Sequence, residues 1–489
     1  MVNYRSPGVY VEEISLLPPS IAEVESAVPA FVGYTEKAQL LTPNDLLNVP
    51  TRITSLGDYI QYFGGAHKEV PAAFDIEVDE LKTGDTTTGF NVTITLQPAS
   101  MSTHNLYYAV KLFYANGGGS CYITSVGAHT AAINKAALET GLDVVGKEDA
   151  PTLLLVPEAA NFTAAQQADF DSINQKMLTQ ASTMKDRFAL LDTNQTTVPK
   201  LAGTVTTDVN TAITNVPSDN SIRRYGAVYY PFLETSYNYE CDFDTLLIGT
   251  HTVNGADPAD HLPTAVTDRS GVALSVIKPV ASSMYNAIKT EFEKLHVVLP
   301  PSAAIAGIIT RVDNEKGYWK APANVGVINV VKPVVSVSRE EHDLLNINSD
   351  TGKSVNAILS VPGYGTVVMG ARTLDGNDNE WKYISVRRFF SIVEESIKKS
   401  TSWVIFEPNT SSTWTKVQAM IENYLISKWR DGALAGAKPE QAFFVRVGLN
   451  KTMNSIDILE GRMIVEIGMA VARPAEFIIL RFEQMMQTS

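Results

Sequence analysis

The sequence has few cysteines, a deficit of basic residues and no long uninterrupted apolar run, and each shortage excludes a class of protein. Cys121 and Cys241 are the only cysteines among 489 residues, so neither a disulfide framework nor a cysteine-based zinc site is predicted. Lys and Arg total 39 against 53 Asp and Glu, and the formal charge of −14 argues against binding to a phosphate backbone. The apolar stretch 296–310 is interrupted by Pro300 and Pro301 and is too short to span a bilayer. We therefore expect no nucleic acid partner and no direct membrane insertion.

The residue patterns of common catalytic and metal sites are also missing. The seven histidines include no pair four residues apart and none at zinc-ligand spacing from a cysteine. The glycine-rich segment 363–370 is not followed by a helix with Lys-Ser or Lys-Thr, as a phosphate loop requires. The segment 375–380 resembles the start of a calcium loop, but Glu380 stands where glycine is needed and Val386 where glutamate is needed. We expect no catalytic residue, no metal ion and no cofactor.

The first part of the chain alternates strand and helix signals. PAFVGYT at 29–35, PTLLLVP at 151–157 and RFALLD at 187–192 read as buried strands with helices between them. This βαβ rhythm predicts a partly parallel sheet with helices packed on it. Two polar segments differ: 67–105 contains a Thr-rich β-hairpin that we interpret as an insertion, and 193–221 is expected to be a surface loop or an elaborated edge.

Beyond residue 360 the pattern predicts a compact α+β unit. Helices are predicted at 386–399 and from about 413 to 430, and strands at 403–406, 443–447, 463–471 and 476–482. The second helix places Val417, Ile421 and Leu425 on one stripe and Lys416 and Lys428 on the other side. The fold class is therefore predicted to be a multidomain combination of α/β and α+β parts.

Both ends of the chain read as strands. Residues 9–14 read VYVEEI and are isolated by a Pro-Gly pair before them and by Pro18 and Pro19 after them. An isolated strand cannot satisfy its own backbone groups, so it must add to a sheet built by the far end of this chain or by another chain. The last strand, 476–482, follows the strand at 463–471 closely, and both pairing within its own chain and pairing with a neighbour stay open.

Several segments resemble, in order along the chain, the sheath proteins of contractile phage tails, R-type pyocins and extracellular contractile injection systems. The matching segments are SPGVYVEE at 6–13, PAFVGYT at 29–35, LYYAVKLFYANGGGSCYITSV at 106–126, YYPF at 229–232, a proline-rich segment at 299–324, and the stretches 370–397, 403–409, 429–446 and 473–482. The similarity is most specific in the last third of the chain. We see no family pattern in 67–105 or 193–221.

The resemblance implies a conserved C-terminal α+β sheath domain that the N-terminal arm completes, with a large βαβ-type variable domain inserted between them. The implied domains are an arm at 1–27, a variable outer domain at 28–355 and a sheath domain at 356–489. Such subunits stack as hexameric rings around an inner tube and contract to drive the tube through a target envelope. The implied partners are further copies of the chain, possible paralogous sheath subunits, the tube protein, and baseplate and terminal cap proteins.

The resemblance also assigns roles to residues at both ends of the chain. The implied inter-subunit strands are Val9, Tyr10, Val11, Glu12 and Glu13 at the N-terminus and Phe477, Ile478, Ile479, Leu480, Arg481 and Phe482 at the C-terminus. The helix at 413–430 is our own candidate for facing the tube, with Lys416, Lys428 and Arg430 as its charges, and the alternative is that these residues lie on the solvated face of a packed helix. The opening residues lack the apolar core of a signal peptide, so assembly is expected in the bacterial cytoplasm and action in an extracellular or virion particle. Two alternatives stay open: the sheath of a tailed phage, and an α/β enzyme, which a titratable cluster in a cleft would favour.

Overall fold

A computed structural model describes residues 20–194, 205–261, 264, 266–347 and 351–476 of the chain. The chain divides into two compact units, and the division falls inside one long helix. Of the described residues, the smaller unit comprises 20–24 and 392–472, and the larger unit comprises those in 25–391 and 473–476. The predicted strands Val9 to Glu13 and Phe477 to Phe482 lie outside the described residues.

The strands and helices follow one another in mixed order along the chain. The strands are β1 Pro29–Thr35, β2 Thr51–Ile53, β3 Phe74–Thr83, β4 Thr86–Leu96, β5 Cys121–Ala128, β6 Leu153–Leu155, β7 Phe188–Asp192, β8 Gly226–Tyr230, β9 Leu233–Asn238, β10 Ile248–Val253, β11 His296–Leu299, β12 Val325–Gly326, β13 Val330–Pro333, β14 Val355–Val361, β15 Gly365–Val368, β16 Phe443–Val447 and β17 Val465–Met469. The α-helices are α1 Leu56–Phe63, α2 Leu106–Ala115, α3 Lys135–Val145, α4 Gln167–Met184, α5 Val205–Ile213, α6 Asn220–Arg223, α7 Leu274–Val280, α8 Ser282–Phe292, α9 Ser302–Lys316, α10 Arg339–Asn346, α11 Ile384–Ser400, α12 Ser411–Arg430, α13 Pro439–Ala442 and α14 Ser455–Leu459.

The larger unit is built on a nine-stranded sheet with the order β12-β15-β14-β8-β7-β6-β1-β5-β2. The strands from β14 to β5 in this order run parallel to one another, and the strands beyond them at both edges are antiparallel. The prediction of a partly parallel sheet is therefore confirmed. Parallel strands are connected by crossing helices, which explains why both faces of this sheet are covered.

Alternate residues of the central strands pack into two separate cores. On β1, Phe31 joins a core with α2 and α9, whereas Ala30 and Val32 join a core with α3, α4 and α5. On β6, Leu154 lies on the opposite face from Leu153 and Leu155. The alternation follows from the two-residue repeat of an extended strand, and apolar residues at every position are what a strand buried on both faces requires.

Two smaller sheets complete the larger unit. The predicted hairpin of the 67–105 segment is confirmed as β3 and β4, whose register runs from Phe74 opposite Leu96 to Thr83 opposite Thr86. Strand β10 extends this hairpin in parallel with β3, and α7 and α8 cover its apolar face. Strands β11, β9 and β13 form a third, antiparallel sheet.

Two local predictions need correction. Of the two alternatives for 193–221, the surface loop is wrong, because α5 lies in the segment, α6 begins in it, and Val209 and Ile213 are buried in the core beside α4. The run 403–406 is not a strand, because Ser402–Val404 forms a 3₁₀ turn directly after α11. Its backbone bonds are local, from Ile405 N to Ser402 O and from Glu407 N to Val404 O, so the apolar run needs no strand partner.

Candidate assembly interface

The base of the N-terminal arm is held between two helices of the smaller unit. The backbone N–H groups of Ala22 and Val24 donate to the hydroxyl oxygens of Ser400 and Ser396, both at 3.1 Å. These serines are four residues apart on α11, which is about 6 Å along a helix axis. Two residues of extended chain cover about 6.6 Å, so alternate N–H groups of the arm match the serine spacing.

Between these two residues, the side chain of Glu23 turns to the other helix. Its Oε2 lies 2.9 Å from the Nζ of Lys428, and its Oε1 accepts from the hydroxyl of Tyr424 at 3.3 Å. Both partners are on α12, one helical turn apart. The side chain of Lys428 is only 9% exposed and also lies 3.8 Å from Asp431. A cation so far removed from water needs its carboxylate partners, because a buried unpaired charge is strongly unfavourable.

The three candidate tube-facing cations of α12 therefore differ in their surroundings. Lys416 and Arg430 are exposed, whereas Lys428 is buried and paired with Glu23. Contact between Lys428 and a tube would require this ion pair to open. Sequence periodicity placed Lys428 on the polar side of the helix, but it could not find Glu23, which lies about four hundred positions earlier in the chain. The pair of serines four residues apart on α11 was the available signal that this face is polar.

Strands β16 and β17 form a small antiparallel sheet beside α12. Their register runs from Phe443 opposite Met469 to Val447 opposite Val465. Val445 and Val447 are buried, and α12 packs against β16. Within the described part of the chain, neither strand has a second strand neighbour, although residues 433–435 pair with 470–472 directly after β17. An isolated two-stranded sheet is marginally stable, and its free edges are templates for a further strand.

Several large apolar side chains of the smaller unit are exposed. Phe406 is fully exposed at 102% and has a positive φ of 71°, a backbone conformation that side chains other than glycine rarely adopt. The bond from Asn409 Nδ2 to Arg462 O places the loop that carries Phe406 beside the segment after α14, and Leu459 at the end of α14 is 86% exposed. Apolar groups exposed in this way are typical of surfaces that another protein covers.

The larger unit contains one titratable cluster that sequence spacing did not indicate. The imidazoles of His67, His104 and His129 have ring centroids 5.2 to 5.9 Å apart. Nδ1 of His104 lies 3.6 Å from Oε1 of Glu158, whose other oxygen accepts from the backbone N–H of Tyr34 at 2.7 Å. His129 follows β5 and Glu158 follows β6, whereas His67 follows α1 and His104 precedes α2. The fold therefore brings together histidines that are far apart in sequence.

Burial controls the chemistry of this cluster. Burial lowers the pKa of His129 to about 4, with further lowering by charge on His104 and His67. Burial also raises the pKa of Glu158. The side chain of Glu158 is fully buried and that of His104 is 6% exposed, so a substrate cannot reach them. Among the residues that the structure describes, no group of histidine, cysteine and acidic side chains is arranged to hold a metal ion.

None of the described helices is both long enough and apolar enough to span a membrane.

Comparisons with known proteins give matches to sheath proteins. Residues 376–485 match the family described as the phage tail sheath C-terminal domain. The tail sheath protein of Enterobacteria phage T4 is 26% identical over 212 residues, which are 41% of this chain and 30% of the T4 protein. The chain thus spans less than a third of the length of this curated relative.

Solved structures match over nearly the whole chain. The helical sheath of the anti-feeding prophage in its contracted state is 30% identical, with a TM-score of 0.64, and the match covers 98% of this chain and 99% of that one. The contracted sheath complex of the extracellular contractile injection system PVC is 28% identical, with a TM-score of 0.62, over 99% of each chain. The mixed α/β multidomain fold is therefore a sheath fold, and the chain belongs to the contractile tail sheath family.

Proposed function

We propose that this chain is the structural and motor subunit of a contractile sheath and is not an enzyme. It polymerises as stacked hexameric rings around an inner tube and contracts to drive the tube through a target envelope. The observation that carries the proposal is the similarity to a contracted helical sheath over almost the full length of both chains. The free energy for contraction is stored during assembly, so the extended state lies above the contracted state with a barrier between them, and no nucleotide is required.

The particle is an extracellular injection system rather than a tailed phage. The support is that the matches to the anti-feeding prophage and PVC sheaths cover nearly the whole chain, whereas the match to the T4 protein covers 41% of it. Subunits assemble in the bacterial cytoplasm together with tube, baseplate and cap proteins, and possible paralogous sheath subunits. If the chain is the sheath of a tailed phage, capsid and terminase genes should lie beside its gene. Their presence would contradict our proposal of an extracellular injection system.

The two terminal strands join neighbouring subunits. Val9 to Glu13 of one copy adds to a free edge of the β16–β17 sheet of another, and Phe477 to Phe482 contributes a second strand to the shared sheet. A strand of five or six residues adds only a few kcal/mol through hydrogen bonds at about 1 kcal/mol each. Repetition over every subunit makes the mesh strong enough to survive contraction. In this arrangement the C-terminal sheath domain at 356–489, completed by the arm at 1–27, carries the variable domain at 28–355 on the outside.

The exposed cations of α12, Lys416 and Arg430, face the tube and hold the extended state weakly. Lys428 holds the arm and reaches the tube only if its pair with Glu23 opens. Reversing Lys416 and Arg430 to Glu should abolish extended sheaths formed on the tube while leaving tube-free polymers intact. Unchanged assembly on the tube would show that another surface makes this contact. Negative-stain electron microscopy of both preparations makes the measurement.

Electron microscopy of the purified full chain tests the function itself. We expect long hollow tubes with a helical ridge. A chain that stays monomeric at high concentration, with and without tube protein, would contradict the proposal.

A further inference from the structure

The segment at 22–24 differs from an ordinary interdomain linker because each of its three residues is bonded to a helix. Ala22 and Val24 bond to α11 through hydroxyl groups, and Glu23 bonds to α12 through a charged group and a phenol. The carbonyl of Ala22 also accepts from the hydroxyl of Ser400 at 3.5 Å. The bonds on the two sides of the segment therefore fix three successive residues of the arm.

The number of these bonds determines how firmly the segment is held. They run from three successive residues to two helices, α11 and α12. The segment can leave this position only when the bonds to both helices have broken. The central bond is charge-assisted, and Lys428 is shielded from solvent, so screening by salt weakens it little.

We propose that Ala22, Glu23 and Val24 form a latch that anchors the N-terminal arm to α11 and α12. This inference rests on the proposed function, in which the arm is donated to a neighbouring subunit. Tension from the donated strand ends at the latch and passes into the smaller unit, which carries the β16–β17 sheet that receives a strand in turn. The load on the N-terminal strand is then carried between subunits through the smaller unit.

The latch separates assembly from mechanical strength. Assembly requires the arm to reach a neighbour, and the arm can still do so when the bonds of segment 22–24 are weakened. The mechanical strength of the contracted mesh requires those bonds to stay intact under load. Variants that weaken the latch should therefore assemble but break.

Lys428→Met is the principal variant, because it keeps the buried aliphatic stem and removes the charge. Lys451→Met is the matched control, with the same chemical change at an exposed position of the same unit. Full-length chains are polymerised, sheared by repeated passage through a needle, and measured by electron microscopy. We expect wild-type yield of tubes before shearing and a median length at least about threefold shorter than wild type and control afterwards. Wild-type length after shearing would overturn the latch.

Two further variants keep the test decisive. If Lys428→Met does not fold, Glu23→Gln carries the test alone, since the side chain of Glu23 is 36% exposed and the change is nearly isosteric. The double variant Glu23→Gln with Lys428→Met should shorten tubes no further than Lys428→Met alone, because both remove one interaction. Additive shortening would contradict a shared latch. If the wild-type chain forms no tubes at all, the proposed function fails and the latch fails with it.

Discussion

The two units of this protein differ in how completely their apolar surface is buried. The larger unit covers both faces of a nine-stranded sheet with its own helices. The smaller unit has a two-stranded sheet with free edges among the described residues. Of the large apolar side chains that the structure shows as exposed, seven lie in 392–472 and fifteen in 25–391, about twice the density in the smaller unit.

Charge separates the two units as well. Residues 392–472 contain nine Lys or Arg and nine Asp or Glu, whereas the whole chain has a formal charge of −14. The excess negative charge therefore lies outside this stretch, where it keeps free subunits soluble and mutually repelling. A region without net charge, with free strand edges among its described residues and with exposed apolar groups, is suited to contacts between copies. The difference supports our proposal that the smaller unit is completed by assembly.

The largest expected effect comes from removing the arm. Deleting Met1 to Ser15 should abolish the polymer entirely, because the donated strand is lost, and should leave a folded monomer, because the latch at 22–24 remains. Electron microscopy measures the polymer and circular dichroism measures the fold. An unfolded deletion product would mean that the strand pairs within its own chain.

The second-largest effect is expected from a substitution in the core of the larger unit. Phe31→Ala removes a ring that is 0% exposed in the centre of the sheet and packs edge-on against Phe113 at 5.4 Å. We expect the free energy of unfolding to fall by about 3–5 kcal/mol. Denaturant titration of monomers measures this loss. A loss below about 1 kcal/mol would show that the core of the larger unit is loosely packed.

The histidine cluster gives a smaller, pH-dependent effect. The pKa of His129 is about 4 in the folded protein and near 6.5 when unfolded, so this residue contributes stability above pH 6.5 that is lost as the pH falls toward 4. Because the ring is partly exposed, we expect a loss on the order of 1–2 kcal/mol. The raised pKa of Glu158 acts in the opposite direction, since its protonation favours the folded state. The difference between wild type and His129→Gln isolates the histidine.

Urea titrations of both proteins between pH 7 and pH 4 measure that difference. His342→Gln is the control, because His342 lies outside the cluster and its Nε2 is 3.3 Å from the carbonyl of Met369. Parallel stability curves for wild type and His129→Gln would contradict the account of the cluster.

The smallest effect on the monomer is expected in the smaller unit. Phe406→Ser changes a fully exposed ring, so the free energy of unfolding should change by less than about 0.5 kcal/mol. If another copy covers this surface, the critical concentration for polymerisation should rise at least about tenfold. Sedimentation of polymer from dilution series measures it. An unchanged critical concentration would remove Phe406 from the assembly surface.

Sequence reasoning predicted the parts of this structure that local patterns determine. The β3–β4 hairpin and strand β16 agree with alternation and turn signals, and α11 and α12 agree with helical periodicity. The run 403–406 was misread because an apolar, β-prone run also fits a 3₁₀ turn at a helix end. The helices α5 and α6 were missed because their polar and Thr-rich composition masked the few apolar residues that pack.

The candidate site was less predictable because its contacts join distant parts of the chain. Glu23 and Lys428 are separated by 405 positions, and no local pattern relates them. The same holds for His67, His104 and His129, which lie after α1, before α2 and after β5 and meet only in the folded chain. Helical periodicity identified α12 but not the partner of Lys428.

We propose that the smaller unit is completed by strands from other copies of the chain. A helical reconstruction of the polymer by cryo-electron microscopy tests this most directly. We predict density for Val9 to Glu13 of one subunit paired along an edge of the β16–β17 sheet of another. Density that places this strand on its own subunit, or a sheet whose edges stay open in the polymer, would contradict the account.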